Sequence, residues 1–534
     1  MKKKKLLSLL VVAAMTAGLL VGCGGSSDSD GGSGGGSAST ESTEAGVFTM
    51  AISYMPDSLQ PDTASDDYTS MVRPIYDPLF LDTKDGIVYY LADSLEISDD
   101  GLTYKIHLNE NANWSDGEPV TVQDILFSFD YAGLSSGGSS SYNTINGQPV
   151  QFNAVDDKTL EITLPEPYAT YVTTLSNRVL IMPSHAFDND PTKVDDSGYF
   201  NSTDMATSGA YTVSEINDDS IVYKARDDYY RGNPEVETIV LRNTGSGSSR
   251  QVAFENGEIS YMRVTTKEEL DKYSNSDEYN TYSITESRLN YLQVNPNGPN
   301  KSVLTDEGRQ AIFLALNGQE IVDAAYGSDE LATPANSLLT PDQVDYNPDC
   351  AGYKQDVEKA KELAESSGLS GTTLTYIYNA DRANMEAVAT VIQQQLAEIG
   401  VNLSIEGLDS TSFFQRFFAL TYGSGQENTW DLGTNGWDSE RGTSGGQAAS
   451  YLKNSEAWGF SQETVDLAIQ ANATTDAEQS KTLWYQLQDQ ALGEYWEYPL
   501  TYTNYVMVSQ KNVTGLDASP IVPEFADWLS IKVE

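Results

Sequence analysis

Cysteine, histidine and positive charge are all scarce in this chain. Two Cys and two His occur among 534 residues. So few Cys exclude a disulfide framework. With no Cys cluster and no close His pair, a zinc site is not expected. His107 lies in the alternating run Thr103-Tyr104-Lys105-Ile106-His107-Leu108 and reads as a strand-face residue. His185 follows Met182-Pro183-Ser184 and reads as locally paired. A Ser-His-Asp triad would have only these two bases. The G-x-S-x-G pattern occurs at Gly31 to Gly35 and at Gly442 to Gly446. A nucleophile elbow joins an apolar strand to a helix. The second match instead follows Asp438-Ser439-Glu440-Arg441, so it reads as a loop. No Walker loop is present, nor a G-x-G-x-x-G after a strand.

Basic residues number 31 against 78 acidic ones, a net charge of −47. Phosphates would be repelled, which excludes general nucleic-acid binding. A polybasic membrane patch is excluded too. With 78 acids, carboxylate pairs arise by chance, so their number does not point to a hydrolase. The acidity favours solubility, with a bias toward cationic or zwitterionic ligands. Tyr outnumbers Phe by 32 to 15. Its apolar body and polar tip suit interfaces and hydrated ligand clefts.

One apolar run does occur, Leu6 to Val21, behind Lys2-Lys3-Lys4-Lys5. A basic start and a short apolar stretch read as an export signal. The run is shorter than the roughly 20 residues that span a bilayer. It ends at Leu20-Val21-Gly22-Cys23, which resembles a bacterial lipobox. The resemblance implies a signal peptide over 1–22 and an acylated Cys23. Cys350 then has no partner, and in Asn347-Pro348-Asp349-Cys350 it reads as an incidental loop thiol. Residues 23–46 carry almost nothing apolar and read as a flexible Gly/Ser tether. It spans roughly 25 Å, at about 5–6 Å × √n. The expected location is the outer face of the cell membrane, lipid-anchored as in Gram-positive bacteria.

Strand and helix patterns alternate along the remainder, which predicts mixed α/β layers. Thr121-Val122-Gln123-Asp124 has capping-box spacing before Ile125, Leu126, Phe127 and Phe129. The stretch from Gly133 to Tyr142 reads as an exposed loop. Asp356 caps a helix that stops at Gly368. Met385, Val388, Ala389, Ile392, Leu396 and Ile399 form one stripe of a helix over Asp381 to Ile399, stopped by Gly400. Strands at Thr372 to Tyr378 and Val401 to Ile405 flank it, a βαβ unit with parallel strands.

Several segments in order resemble the extracellular solute-binding proteins of family 5, the peptide- and nickel-type binding components of ABC importers. Ser58-Leu59-Gln60-Pro61-Asp62 is similar to the family's opening segment, and Ile75-Tyr76-Asp77-Pro78-Leu79 to its Tyr-Glu-x-Leu turn. Asp100-Gly101-Leu102-Thr103-Tyr104, Trp114-Ser115-Asp116-Gly117-Glu118-Pro119 and Asp124-Ile125 resemble its signature. Ser208-Gly209-Ala210-Tyr211, Asp228-Tyr229-Tyr230 and Arg309-Gln310-Ala311-Ile312 match later elements. The resemblance implies a periplasmic-binding-protein-like α/β fold of type II. Two lobes, joined by a hinge, enclose a ligand cleft. Mapped by motif, lobe 1 is 47–74, 204–288 and 500–534, with an extra domain at 75–203, and lobe 2 is 289–499.

The implied function is non-enzymatic capture of short peptides by hinge closure, as a monomer, for delivery to ABC permease subunits. No cofactor and no metal are implied. An oligosaccharide, for which Trp430, Trp437 and Trp458 would suit stacking, or another small solute such as a metal chelate is the alternative within the class. A sensor or a secreted hydrolase are the alternatives outside it. In peptide-binding members the amine-binding Asp lies three residues after a Gly-Trp. Here Gly436-Trp437 is followed by Asp438 and, at that spacing, Glu440, a departure from the pattern. Trp437 is mapped to the cleft floor and Tyr54 to the point where the first strand meets the cleft. Arg382 falls where some members bind a peptide carboxylate. Tyr502 and Asn504 follow the second crossing between lobes, where they face the cleft or form hinge packing, and Tyr502 is taken as a ligand-binding residue.

Overall fold

The computed structural model describes residues 45–61, 66–83, 86–135, 142–145, 147–176, 179–195, 197–245, 247–420, 428–438, 457–518, 525 and 527–534. The signal, Cys23, the tether up to Glu44, Glu440 and the Gly442 to Gly446 pattern lie outside them. Among the described residues, no helix is long and apolar enough to cross a membrane.

Three larger sheets organise the chain. In the first, Val47–Ile52 pairs in parallel with Thr238–Asn243, followed by Ser220–Ala225 and Tyr211–Ile216. Phe48, Met50 and Ile52 alternate into its core, at 0, 3 and 5% exposure. The second sheet orders Ala92–Ile97, Thr103–Leu108, Thr159–Thr163 and Gln151–Ala154, all antiparallel. Tyr104, Ile106 and Leu108 point inward and Lys105 outward, the pattern of a sheet with one wet face. His107 is on the wet side, as expected, 3.8 Å from Glu110.

The third sheet has seven strands and is built on two long ones, Tyr279–Val294 and Glu497–Gln510, paired antiparallel. Tyr261–Val264 flanks Glu497–Gln510, and Leu432–Asp438 flanks Tyr279–Val294. Thr373–Asn379 and Asn402–Leu408 follow and are parallel, as the βαβ reading requires. The mapped crossings near 289 and 499 both fall inside the long strands. Apolar side chains gather into separate cores. One unites the first two sheets with Tyr505 to Val533. Two others surround the third sheet. Ala253 to Tyr273, mapped with the first lobe, contribute apolar side chains to one of these.

Helix ends follow their local chemistry. Asp356 accepts the Lys359 N–H at 3.0 Å and starts helix Val357–Ser366, while Gly368 adopts φ +75. The stripe helix is Met385–Glu398, with Gly400 at φ +79. It starts four residues later than Asp381, because the chain first turns on Asn379, whose side chain accepts the Asp381 N–H at 3.0 Å. Helix Val122–Ser135 runs three residues into the segment read as loop.

The motifs that carried the resemblance dock on one another. Gly209 N–H donates to Ile75 O at 2.9 Å, and Tyr211 N–H to Pro74 O at 3.1 Å. The Tyr229 and Tyr230 hydroxyls both donate to Asp77 Oδ2 at 2.7 Å. His185 pairs with Asp116 at 2.9 Å, so its partner is the Trp-Ser-Asp-Gly turn and not a sequence neighbour.

Asp345 illustrates what burial does to a carboxyl here. Burial pushes it up to about 6, with Lys481 opposing. Its pKa in the unfolded chain is about 3.9. Between those values the folded form binds the extra proton, so this group's contribution to stability falls as pH rises through that window. Asp345→Asn should therefore gain in melting temperature relative to the parent between pH 4 and pH 7.5. A difference that stays constant across this range would refute the assignment.

Candidate ligand-binding site

The long strands present alternate residues to opposite faces. On Glu497–Gln510, Thr501, Thr503 and Tyr505 share one face, and Tyr502 takes the other. Polar side chains gather on the first of these. Thr503 donates its hydroxyl to Glu286 Oε2 at 2.6 Å. Arg263, from strand Tyr261–Val264, donates to the same oxygen at 2.6 Å and lies 4.5 Å over the Tyr505 ring. Farther along, Arg288 Nε donates to Asn290 Oδ1 at 3.2 Å, and Asn290 Nδ2 to Thr501 Oγ1 at 3.1 Å and the Tyr326 hydroxyl at 3.4 Å. Glu286 is only 9% exposed, and a carboxyl group so buried needs hydrogen-bonding partners. Burial by itself lowers the Arg263 guanidinium, but Glu286 and Tyr505 together offset this and hold it above its ordinary value.

A register shift makes this arrangement possible. Thr285 pairs with Asn504, and the next paired residue, Arg288, with Thr503. Glu286 and Ser287 are extra, and such a bulge re-aims a side chain. Gly436 leaves room beside it. A Cβ there would stand 2.5 Å from both Arg288 Nη2 and Asn290 Oδ1.

A cavity of about 70 Å3 adjoins this cluster. Its wall includes Ser53 at the carboxyl end of Val47–Ile52, with Arg250, Tyr261, Arg263 and Tyr505. In open α/β sheets, ligands bind outside the carboxyl ends of parallel strands.

The residues singled out from sequence are placed unevenly around this centre. Tyr54 is 42% exposed, next to the cavity-lining Ser53. Trp437 and Asp438 end strand Leu432–Asp438, in register with Leu289 and Arg288. Tyr502 is in register with Leu289 on the opposite side. Its hydroxyl is engaged by the Ser337 N–H at 2.9 Å and by Asn336 Oδ1 and Ser337 O at 3.1 Å each. Arg382 is half-buried in the turn after Thr373–Asn379. That strand pairs in parallel with Leu432–Asp438, Tyr378 against Thr434, so both leave the sheet at one edge. Asn504 donates to Glu330 O at 2.9 Å. Trp430 and Trp458 are 0 and 2% exposed and pack around Phe417, so neither offers a stacking face to a solute.

Sequence reasoning missed Arg250, Arg263, Glu286, Arg288 and Tyr505. The run from Tyr282 to Leu292 held one usable signal. Glu286 and Arg288 interrupt an otherwise strand-like stretch, and charges in a buried strand need partners. Nothing in the sequence links Arg250 or Arg263 to that stretch.

Comparison with known proteins places the chain among relatives of one kind. Residues 86–458 match the bacterial extracellular solute-binding proteins, family 5, middle region. The glutathione-binding protein of Pectobacterium atrosepticum is 26% identical over 478 residues, 87% of this chain and 90% of the relative. The ABC transporter substrate-binding protein CtaP of Listeria monocytogenes superposes with a TM-score of 0.82 at 27% identity, covering 92% of this chain and all of that one. The oligopeptide-binding protein AppA of Bacillus subtilis, in complex with a nonapeptide, shares the fold with a TM-score of 0.74 at 18% identity, covering 92% and 100%. Solved structures of this kind carry the two-lobe α/β fold.

Proposed function

Since this chain belongs to the bacterial extracellular solute-binding proteins of family 5, we propose that it captures short extracellular peptides for an ABC importer. The observation that carries this reading is the polar, charged cluster on the two long strands, at the edge where Leu432–Asp438 ends. An extended peptide can be held there by strand-like main-chain hydrogen bonds, which tolerate many sequences. Asp438 and Glu440 are assigned to the ligand's ammonium end, Trp437 and Tyr54 to the cleft wall, and Arg382 to a carboxylate. Tyr502 is assigned to support of the loop at Asn336 and Ser337.

The long strands pass between the cores and serve as the hinge. A ligand touching both lobes favours the closed state by the difference in its affinity for the two states. The domain limits drawn from the motifs, the Cys23 lipid anchor, the outer-face location and the permease partner all belong to this proposal. Binding without chemistry is the assigned role.

Native mass spectrometry of the full chain, offered a random peptide pool, tests the reading. Retained peptides of a narrow length range are expected, with retention reduced in Glu440→Gln. An unliganded mass throughout would overturn peptide capture.

A further inference from the structure

Several surface cations among the described residues are paired with nearby carboxylates, as in Arg242 with Glu258, Lys272 with Glu255 and Arg416 with Glu406. Arg250 is different. It stands on helix Ser248–Glu255 and makes one long side-chain hydrogen bond, Nη2 to Gly245 O at 3.4 Å. Its Nε is buried without a partner. A guanidinium has five donors in a fixed fork, so most of this one's capacity is unspent. Arg263, on the same cavity wall, spends Nη2 on Glu286, while its Nε is also buried and unpartnered. Two arginines from separate elements thus converge on one cavity with donors in reserve. Arg288, on the same long strand as Glu286, adds a third positive charge close enough to act on Arg263.

The cavity sets the size of what enters. A cavity needs roughly 10–15 Å3 to admit one water, so about 70 Å3 holds only a few. That suits a carboxylate on a short stem and is too small for a peptide. Met50, Met71 and Met262 line the remainder, and all three are buried. Methionine packs adaptably against an aliphatic stem. At a net charge of −47, the field of the whole chain repels anions. Selecting one requires a local surplus of positive charge, and this cavity has it.

We propose that the cavity receives a carboxylate of the bound peptide, carried on an acidic side chain, and that Arg250 and Arg263 select for it. This deepens the peptide-binding reading and rests on it. The chain would then prefer acidic peptides, in spite of its own charge.

Calorimetric titration of the full chain with Ala-Glu-Ala and Ala-Gln-Ala, each as the free acid and as the C-terminal amide, tests the proposal. Charge-assisted hydrogen bonds to a carboxylate are about twice as strong as neutral ones. Ala-Glu-Ala is therefore expected to bind about tenfold tighter than Ala-Gln-Ala, in both terminal forms. The ratio should fall toward one in Arg250→Gln and in Arg263→Gln. Arg250 is partly exposed, so its variant reads the effect even if Arg263→Gln fails to fold. A preference that follows the C-terminal form and is lost in Arg250→Gln would assign the carboxylate to the peptide terminus, and so overturn the side-chain assignment. Equal binding of the Glu and Gln peptides, or a ratio that survives Arg250→Gln, would overturn the proposal. Thermal stabilisation by glutarate, against glutaramide, separates the two failures. If no tripeptide binds but glutarate stabilises the parent and not Arg250→Gln, peptide capture fails and the carboxylate cavity stands. If no tripeptide binds and neither additive stabilises, both fail.

Discussion

Asp124→Ala should lower the melting temperature by roughly 3–5 °C, from a loss of about 3–5 kcal/mol. Asp124 is 2% exposed and anchors several donors at once. Oδ1 accepts the Ser184 N–H and hydroxyl, each at 2.8 Å. Oδ2 accepts the Thr121 N–H at 2.8 Å, the Thr121 hydroxyl at 3.2 Å and the Trp114 indole N–H at 3.4 Å. The bond to the Thr121 N–H is the return half of a capping box, so the spacing read from sequence has its physical basis. Alanine would strand these donors in a dry interior, where each unmet one costs about 1–3 kcal/mol. Asp124→Asn keeps one good acceptor and should lose less. A melting temperature for Asp124→Ala within a degree of the parent would show that the carboxylate does not hold this junction.

The second large effect is expected from a single methyl group. Gly209→Ala should cost about 3 kcal/mol, at the upper end of ordinary overpacking. A Cβ at Gly209 would stand 2.7 Å from Ile75 C and Pro74 O, and 2.8 Å from Tyr76 N. All three are backbone atoms, so no rotamer change can relieve the clash. The chains would have to separate, and with them the Gly209-to-Ile75 and Tyr211-to-Pro74 hydrogen bonds. Arg226 would suffer too, because its Nη1 donates to Thr207 O at 2.8 Å and Gly209 O at 3.2 Å. As a control, Gly117→Ala meets nothing within 4 Å but sits at φ +95. It should cost less, through backbone strain alone. Thermal unfolding of both variants decides the point. Equal, small losses would mean that the close approach at Gly209 is not tight.

These two residues explain why the chain was legible as a family member. Gly209 and Asp124 belong to motifs read from sequence, and both are scaffold contacts. So are Asp77, Tyr229 and Tyr230, which meet in one buried cluster. Contacts that lock one backbone against another tolerate few residue types, so they leave a pattern in the sequence.

The ligand-facing surface left no such pattern. Tyr502 looked like a cleft residue because it follows a crossing, but the two-residue period of a strand turns it away from Thr501 and Thr503. Trp430 and Trp458 looked available for stacking and are buried instead. His185 found its partner 69 positions back along the chain, at Asp116.

By itself the sequence determined the α/β class, the βαβ unit, the ends of helix Val357–Ser366, the stop of helix Met385–Glu398 and the family. Those features rest on local periodicity, caps and short motifs, whose physics acts within a few residues. Only the tertiary structure decided which charges meet. Arg250, Arg263, Glu286 and Tyr505 come from four separate segments. Their assembly depends on the strand register and on the two extra residues at Glu286 and Ser287. Register is set by the pairing of strands more than 200 residues apart, and no local rule carries that information.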